Sequence, residues 1–510
     1  MLFKERCKGL GGIALLNVAL FAPYFNARTY PHFSLDKIAL LFCLSLTAAL
    51  LLSRLVFVFF ALFVLITSVF YLHISAHWPG SFADRISLVL ESPAAERLEY
   101  LANYVSGIDV LILLYALACF IGAISVLRGR PRSSLMLRIV APLPIAAVLV
   151  LVASSERFAK LPLVTLPVEV YDMALRVHQL EERNAHIAAM EFPAQDCGAD
   201  YQNVVIVIGE SSSADHNALY GYLRAGASRL SGLGMVQFSA IASANQTRYS
   251  VPMMLTRATP DRFDDFYREP SLVSELKACG YRTYWLSNQP QGGKHDDNIA
   301  SISREADISL FLKGDDLRHT YDETLIDKAR LINDNAGERE RKAFFIHLAG
   351  SHFNYNWRFP DTFAPKSDDP VAAYDTTVRY TDQVLREIFD AFSKDGLLFL
   401  YASDHGELLH DKMFGHGYVP AYQNEYRVPF LAWSSKPERL GRLNSQVGDQ
   451  VVNTESFDDI TRFLLGFDDD LNKVSFSRRV LDASRAVVVY DQLKNYDMNP
   501  DNSMRISAND

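Results

Sequence analysis

Asp404 and His405 stand side by side in Ser403-Asp404-His405-Gly406-Glu407, directly after the apolar run Leu397-Leu398-Phe399-Leu400-Tyr401. A carboxylate and an imidazole at a strand end can turn toward one cation, and zinc accepts both at about 2.0–2.2 Å. A lone Asp-His pair is more often a surface turn, so the motif needs company. Glu210 closes the run Val204-Val205-Ile206-Val207-Ile208-Gly209. A carboxylate leaving a wholly apolar strand needs a partner, because burying it unpaired is costly; a helix N-terminal Glu facing the dipole reads the same way. Thr247 lies in Asn245-Gln246-Thr247-Arg248-Tyr249-Ser250-Val251-Pro252-Met253. Its hydroxyl can serve as a nucleophile or merely cap a helix. Ser211, Ser212, Ser213, Ser243 and Ser250 are rival nucleophiles that composition does not rank. His352 follows Gly350-Ser351, His416 sits in Phe414-Gly415-His416-Gly417-Tyr418, and His410 lies nearby. Among 13 histidines, any one of these reads equally well as a hydrogen-bonded loop residue.

Such residues need a scaffold that gathers them. Short apolar runs at 204–208, 283–286, 343–347, 397–401 and 428–433 read as buried strands, and 271–278 and 374–392 carry helical spacing. Strands alternating with helices predict an α/β fold with a mostly parallel sheet covered on both faces. In such sheets chemistry gathers beyond the carboxyl ends of the strands. Glu210, Ser351-His352 and Asp404-His405 follow the first, third and fourth of these runs.

The chain has 510 residues, 49 % hydrophobic and 21 % charged, but these averages hide a split. The first 155 residues are rich in Leu, Val, Ala and Phe, and five stretches, 11–25, 38–53, 55–74, 110–126 and 137–153, are apolar enough to read as membrane spans. Lys4, Arg6 and Lys8 precede the first span, and Arg128, Arg130, Arg132 and Arg138 precede the fifth. Both basic segments belong on the cytoplasmic side, so an odd number of spans places everything after residue 155 outside the cytoplasm. Without an evident small-residue cleavage site, the first span reads as an uncleaved anchor. The stretch 168–180 has apolar residues at helical spacing and fits either the membrane surface or the face of the soluble domain. The expected organisation is a transmembrane domain over 1–155, a linker with this amphipathic helix over 156–200, and an α/β domain over 201–510.

The net charge of −9 is spread thinly, and no Lys/Arg cluster marks a nucleic-acid partner. Five cysteines show no zinc-finger spacing. Cys197 and Cys279 are the two in the soluble half, where a disulfide and two unpaired thiols remain open alternatives.

As a set, these motifs resemble the phosphoethanolamine transferases that decorate lipopolysaccharide, including the colistin-resistance enzymes, within the alkaline phosphatase and sulfatase superfamily. The resemblance covers nearly the whole chain, in the family's order. Gly209-Glu210 with Gly221-Tyr222 looks like the first metal motif, and Thr247 to Pro252 like the nucleophile motif. Tyr321-Asp322-Glu323, Gly350-Ser351-His352, Ser403 to Glu407 and His416-Gly417 follow. The resemblance implies an alkaline-phosphatase-like periplasmic domain on an inner-membrane anchor. It further implies one tightly bound zinc ion on Glu210, Thr247, Asp404 and His405, with a second left open. His352 and His416 would bind the phosphoryl group or that second ion and move protons. It implies phosphatidylethanolamine as donor, and lipid A, a core sugar of lipopolysaccharide or a periplasmic glucan as acceptor. The chain departs from the family at Met253, where a cysteine is usual, and at Arg248, where a small residue is usual. Leu286-Ser287-Asn288-Gln289 looks more like the heptose- and glucan-modifying branch. A phosphoglycerol transferase is the nearest rival; a sulfatase-type hydrolase would want a C/S-x-P-x-R motif, which does not follow Glu210.

Overall fold

The computed structural model describes residues 53–77, 105–128, 162–191, 201–290, 298–313, 320–335, 337, 340–410 and 413–496, with isolated positions 16, 19, 20, 45–49 and 143. They divide into two compact units, one over 1–92 and 97–175, the other over 93–96 and 176–510.

In the first unit, α1 (Arg54–His77) and α2 (Gly107–Arg128) are long and apolar enough to cross a membrane. They match the third and fourth expected spans. The first, second and fifth fall outside the described residues, apart from isolated positions, so the five-span reading rests on sequence alone. Phe57, Ala61, Val64, Ser68 and Tyr71 of α1 are buried at intervals of three and four, one stripe of the helix, and α1 packs on α2. Leu55, Phe59, Ile66, Leu111 and Leu113 stay exposed.

The amphipathic stretch lies in α3 (Pro162–Ala189), which belongs to the second unit from Arg176 onward. There Leu180, Arg183 and Ile187 are buried. Arg183 donates from Nε to the Phe266 carbonyl at 2.8 Å and from Nη1 to Ser301 Oγ at 2.8 Å. Its Nη2 pairs with Glu305 Oε1 at 2.6 Å, and its guanidinium lies 4.5 Å from the centre of the Phe266 ring. Glu305 also accepts from the Ser271 amide and hydroxyl and from Ser274 Oγ. The end of α3 is thus held by a buried charge pair whose polar atoms are matched. Arg183→Ala leaves Glu305 buried without its cation and should cost about 3 kcal/mol. Chemical denaturation checks this; an unchanged midpoint would show that the tie contributes nothing.

The sheet strands are β1 (Asn203–Gly209), β2 (Val236–Ile241), β3 (Arg282–Pro290), β4 (Ile308–Lys313), β5 (Lys342–His347) and β6 (Leu397–Ser403). After a separate hairpin of β7 (Leu408–His410) and β8 (Met413–Gly415) come β9 (Arg427–Ser434) and β10 (Val452–Asn453). Their order is β10-β2-β9-β6-β1-β5-β3-β4. Pairing is parallel except at β9, which runs antiparallel to both β2 and β6. The mostly parallel α/β sheet expected from sequence is present.

β1 shows why the strands read as continuous apolar runs. Val204, Ile206 and Ile208 point into one core with α4 (Thr247–Leu255) and α5 (Leu272–Ala278). Val205 and Val207 point into the other with α7 (Glu323–Asn335) and α8 (Pro370–Asp390), α6 (Asn298–Ser303) lying between α5 and α7 in sequence. Each such side chain, fully buried, contributes roughly 1.5–3 kcal/mol. Cys279, just past α5, is disulfide-bonded. Cys197, the partner weighed from sequence, lies outside the described residues.

Candidate metal centre and nucleophile

β1 pairs in parallel with both β5 and β6, with Ile208 opposite His347 and Gly209 opposite Ser403. Three strands therefore end level, and the next residues of each, Glu210, Leu348 to His352 and Asp404-His405, emerge together. Gly350 permits the closest of these approaches. At φ +53° a Cβ would sit 2.5 Å from the Glu210 carbonyl oxygen, and the next amide, Ser351 N, donates to that oxygen at 2.9 Å. Asp322 fixes the same loop by accepting from the Ala349 and Gly350 amides at 2.8 and 2.9 Å.

Thr247 is the first residue of α4 and not its cap; Gln246 holds the cap position without a side-chain capping bond, its Oε1 accepting instead from Arg248 Nε at 2.9 Å. Pro252 cannot donate to the Arg248 carbonyl four residues back, and Asn298 Nδ2 takes that carbonyl at 2.6 Å. The Thr247 hydroxyl instead faces the cluster, 3.1 Å from Glu210 Oε2 and 3.2 Å from His405 Nε2.

Four oxygen and nitrogen donors converge here. His405 Nδ1 donates to the Gly406 carbonyl at 2.9 Å, which leaves Nε2 turned inward. Around Nε2 lie Thr247 Oγ1 at 3.2 Å, Asp404 Oδ2 at 3.3 Å and Glu210 Oε1 at 3.4 Å. Bonds of about 2.0 Å in a tetrahedron put neighbouring ligands about 3.3 Å apart. The donor spacing fits that geometry, and the carbonyl bond on the far ring nitrogen is the usual support of a metal-bound histidine. Asp404 Oδ1 accepts from the Ser211 and His405 amides, but Oδ2 is buried with no hydrogen-bond partner. Its 3.3 Å approach to His405 Nε2 is two lone pairs facing each other in the tautomer set by Gly406. A buried orphan oxygen aimed into a cluster of donors is what a cation would satisfy. The residues present fit a zinc-type ion.

The electrostatics agree. Burial raises the Glu210 carboxyl above its ordinary value, and the Asp404 charge raises it further. Burial pulls the His405 imidazole down, but Asp404 and Glu210 outweigh it and hold the ring above its ordinary value. Ser211 sits at φ +55°, a left-handed conformation rare outside glycine. Its Oγ donates to Glu210 Oε1 at 2.8 Å.

His416 and His352 lie at the rim. β7 and β8 pair with Leu408 opposite Gly415, so Glu407 and His416 are brought side by side, Nδ1 to Oε2 at 2.9 Å. The ring centres of His405 and His416 are 3.9 Å apart, and those of His352 and His416 are 5.4 Å apart. Ligand atoms of Glu210, His405 and His416 lie within 4.8 Å of one another, so His416 stands nearer the ligand set than the sequence reading placed it.

The structure thus brings Glu210, Thr247, Asp404, His405, His416 and His352 together. His410 lies against Tyr496 instead, with ring centres 4.0 Å apart and the planes tilted at 43°. Among the rival hydroxyls, Ser243 bonds Asn453, Ser213 caps a turn at Asp215, and Ser250 bonds the Asp404 carbonyl. Sequence reasoning gave no role to Glu407, fully buried and accepting from Tyr355 and His416, or to Gln289. Gln289 Nε2 reaches Glu210 Oε2 at 3.3 Å and the Leu348 carbonyl at 2.9 Å. Both were legible only as parts of motifs, Glu407 in Ser403 to Glu407 and Gln289 in Leu286 to Gln289, and neither motif assigned them a place beside the donors.

The sulfatase family model matches residues 202–466, just over half of the chain. The phosphoethanolamine transferase EptC of Escherichia coli K12 is 27 % identical over 289 residues, covering 50 % of this chain and 49 % of that protein. The chain spans about half the length of the curated relatives it matches. The C-terminal periplasmic domain of E. coli EptC, solved in complex with Zn, is 23 % identical with a TM-score of 0.53, covering 60 % of this chain and 98 % of that one. The integral membrane lipooligosaccharide phosphoethanolamine transferase A of Neisseria meningitidis is 18 % identical with a TM-score of 0.57, covering 91 % and 95 %. These two likenesses show the fold, an alkaline-phosphatase-like domain with a mostly parallel sheet. With its strand order, its donor cluster and a family match that runs from the first strand through the last site residue, this chain belongs to the sulfatase family, and phosphoethanolamine transferases are among its relatives.

Proposed function

We propose that this protein is a zinc-dependent phosphoethanolamine transferase that takes the head group from phosphatidylethanolamine, carries it on Thr247 and passes it to an acceptor of the cell envelope. The observation that supports this most is the placement of a helix-terminal threonine hydroxyl within hydrogen-bond reach of both Glu210 and His405, inside a donor set spaced for a tetrahedral cation. Zinc held by Glu210, Thr247, Asp404 and His405 would lower the pKa of the threonine hydroxyl and neutralise charge on the phosphoryl oxygens.

The chain's own residues do the rest. Glu210 Oε2 accepts from Thr247 Oγ1 and aims it. Attack forms the bond from Oγ to phosphorus as the hydroxyl proton passes to Glu210 Oε2, and breaks the bond from phosphorus to the glycerol oxygen. The leaving diacylglycerol takes a proton from His416 or His352, whose imidazoles stand at the rim. The N-terminus of α4 favours the negative phosphoryl group. An acceptor hydroxyl then gives its proton back to that histidine and attacks phosphorus, and the bond from phosphorus to Thr247 Oγ breaks as Oγ recovers its proton from Glu210. Glu407 holds the His416 ring by Nδ1, which fixes where that proton is delivered.

No C/S-x-P-x-R motif follows Glu210, which speaks against a formylglycine-dependent sulfatase. The departure at Leu286 to Gln289 points to a sugar or glucan acceptor over lipid A, and Gln289 lies against Glu210. Mass spectrometry of lipid A, core oligosaccharide and periplasmic glucans, with and without the gene, tests the reading. One class should gain phosphoethanolamine. A glycerol phosphate increment would establish the phosphoglycerol reading instead, and no change in any class would contradict both.

A lipid donor requires the site to face the bilayer surface. We place the α/β unit in the periplasm of a multi-pass inner-membrane protein, on the charge asymmetry of 1–10 and 128–138 and the spans α1 and α2. An export-dependent reporter fused after residue 160 should be active. An inactive one would sink both the topology and the lipid-donor reading.

A further inference from the structure

The membrane unit carries a second cluster of metal-ligating side chains, which the transfer reaction does not use. His73 and His77 stand four residues apart at the C-terminal end of α1, so both imidazoles leave the same helix face. Asp109, in the first turn of α2, reaches between them. Asp109 Oδ1 lies 2.6 Å from His73 Nδ1, and Oδ2 lies 3.0 Å from His77 Nε2. The imidazole rings are 4.7 Å apart, tilted at 57°. All three ligand atoms lie within 4.8 Å of one another.

We propose that His73, His77 and Asp109 form a divalent-metal site of the zinc class, linking the ends of α1 and α2. Two imidazole nitrogens and one carboxylate oxygen are a donor set zinc takes readily, with a fourth position left for water or another group. Tetrahedral ligands stand about 3.3 Å apart, so around a shared ion the observed 2.6 and 3.0 Å contacts would open by about 0.7 and 0.3 Å. The carboxylate is already oriented. Ser106 N donates to Asp109 Oδ2 at 2.7 Å and Ser106 Oγ at 3.2 Å, the kind of outer hydrogen bond that fixes a ligand. The pairing spans 32 and 36 residues and is made at the ends of the two apolar helices, where polar side chains are costly unless matched. The site lies in the membrane unit, apart in sequence from Glu210, Asp404 and His405, and does not depend on their assignment.

Zinc titration of the full-length chain in detergent, read by elemental analysis after gel filtration, tests the proposal. In a Glu210→Ala/His405→Ala background, where the cluster in the α/β unit has lost two donors, the chain should still retain about one zinc ion. Adding His77→Ala or Asp109→Asn should remove it; Asn can keep an oxygen on the Ser106 donors but loses the charge and the second acceptor oxygen. X-ray absorption on zinc in the Glu210→Ala/His405→Ala protein should count two imidazoles, a readout that needs no further variant. No zinc in that background, zinc that survives both added changes, or fewer than two imidazoles would each overturn the proposal. The His73, Asp109 and His77 contacts would then be only an interhelical hydrogen-bond relay.

Discussion

Thr247→Ala should abolish transfer, by roughly 10⁴-fold or more, while leaving the fold intact. Only a hydroxyl and a methyl are lost, at a residue partly exposed at the start of α4, and the helix is capped by backbone geometry at Gln246. Thr247→Ser keeps an oxygen near Glu210 Oε2 and His405 Nε2 and should retain measurable activity. Ser211→Ala is the informative control. Ser211 also reaches Glu210, at 2.8 Å, so its loss should disturb the site by about tenfold, the scale of an outer ligand partner, without abolishing turnover. Head-group transfer from a labelled phosphatidylethanolamine checks all three. Full activity in Thr247→Ala would remove the nucleophile from the scheme.

The second large effect concerns the metal. Asp404→Asn and His405→Ala should each lower zinc affinity by more than the roughly 10–100-fold that loss of an outer partner costs. Asp404 is fully buried, and while Oδ1 accepts from two amides its Oδ2 has no hydrogen-bond partner, so that oxygen is the one open to a cation. Asparagine keeps the shape and the bond from the Ser211 amide but removes the charge. Elemental analysis against a competing chelator reads the change. Wild-type affinity in both variants would move the metal elsewhere. Because His416 lies within the same 4.8 Å set as Glu210 and His405, some residual zinc in the Asp404 variant would be held by that trio.

The site was legible in sequence because its residues sit where strand periodicity stops. Val204 to Ile208 and Leu397 to Tyr401 are buried on both faces, so their apolar runs end abruptly at the polar residues of the donor cluster. The order of the motifs then carried the resemblance. What single motifs did not carry was distance. Glu407 and His416 are nine residues apart, and only the β7–β8 hairpin register makes them neighbours. Gln289 joins Glu210 across 79 residues, a contact with no periodic signature.

Some strands were missed for a physical reason. β2, Val236–Ile241, alternates exposed and buried positions near one edge of the sheet, and β10 has two residues. β4, Ile308–Lys313, is the other edge strand, and its Leu310 is exposed. None presents the continuous apolar run that marks a central parallel strand. β9 did present one, yet runs antiparallel, since a strand buried on both faces looks the same in either direction. The charge pair of Arg183 and Glu305 had no local signal, because its partners lie 122 residues apart.

Peptide mass analysis of wild-type protein, purified without prolonged incubation, tests the central claim most directly. Trypsin places Thr247 in the peptide 230–248 and Ser211 in the separate peptide that ends at Arg224. The account predicts a phosphoethanolamine increment on the first, mapped by fragmentation to Thr247, and its absence from Thr247→Ala. An increment on the peptide carrying Ser211, or one that persists in Thr247→Ala, would contradict it.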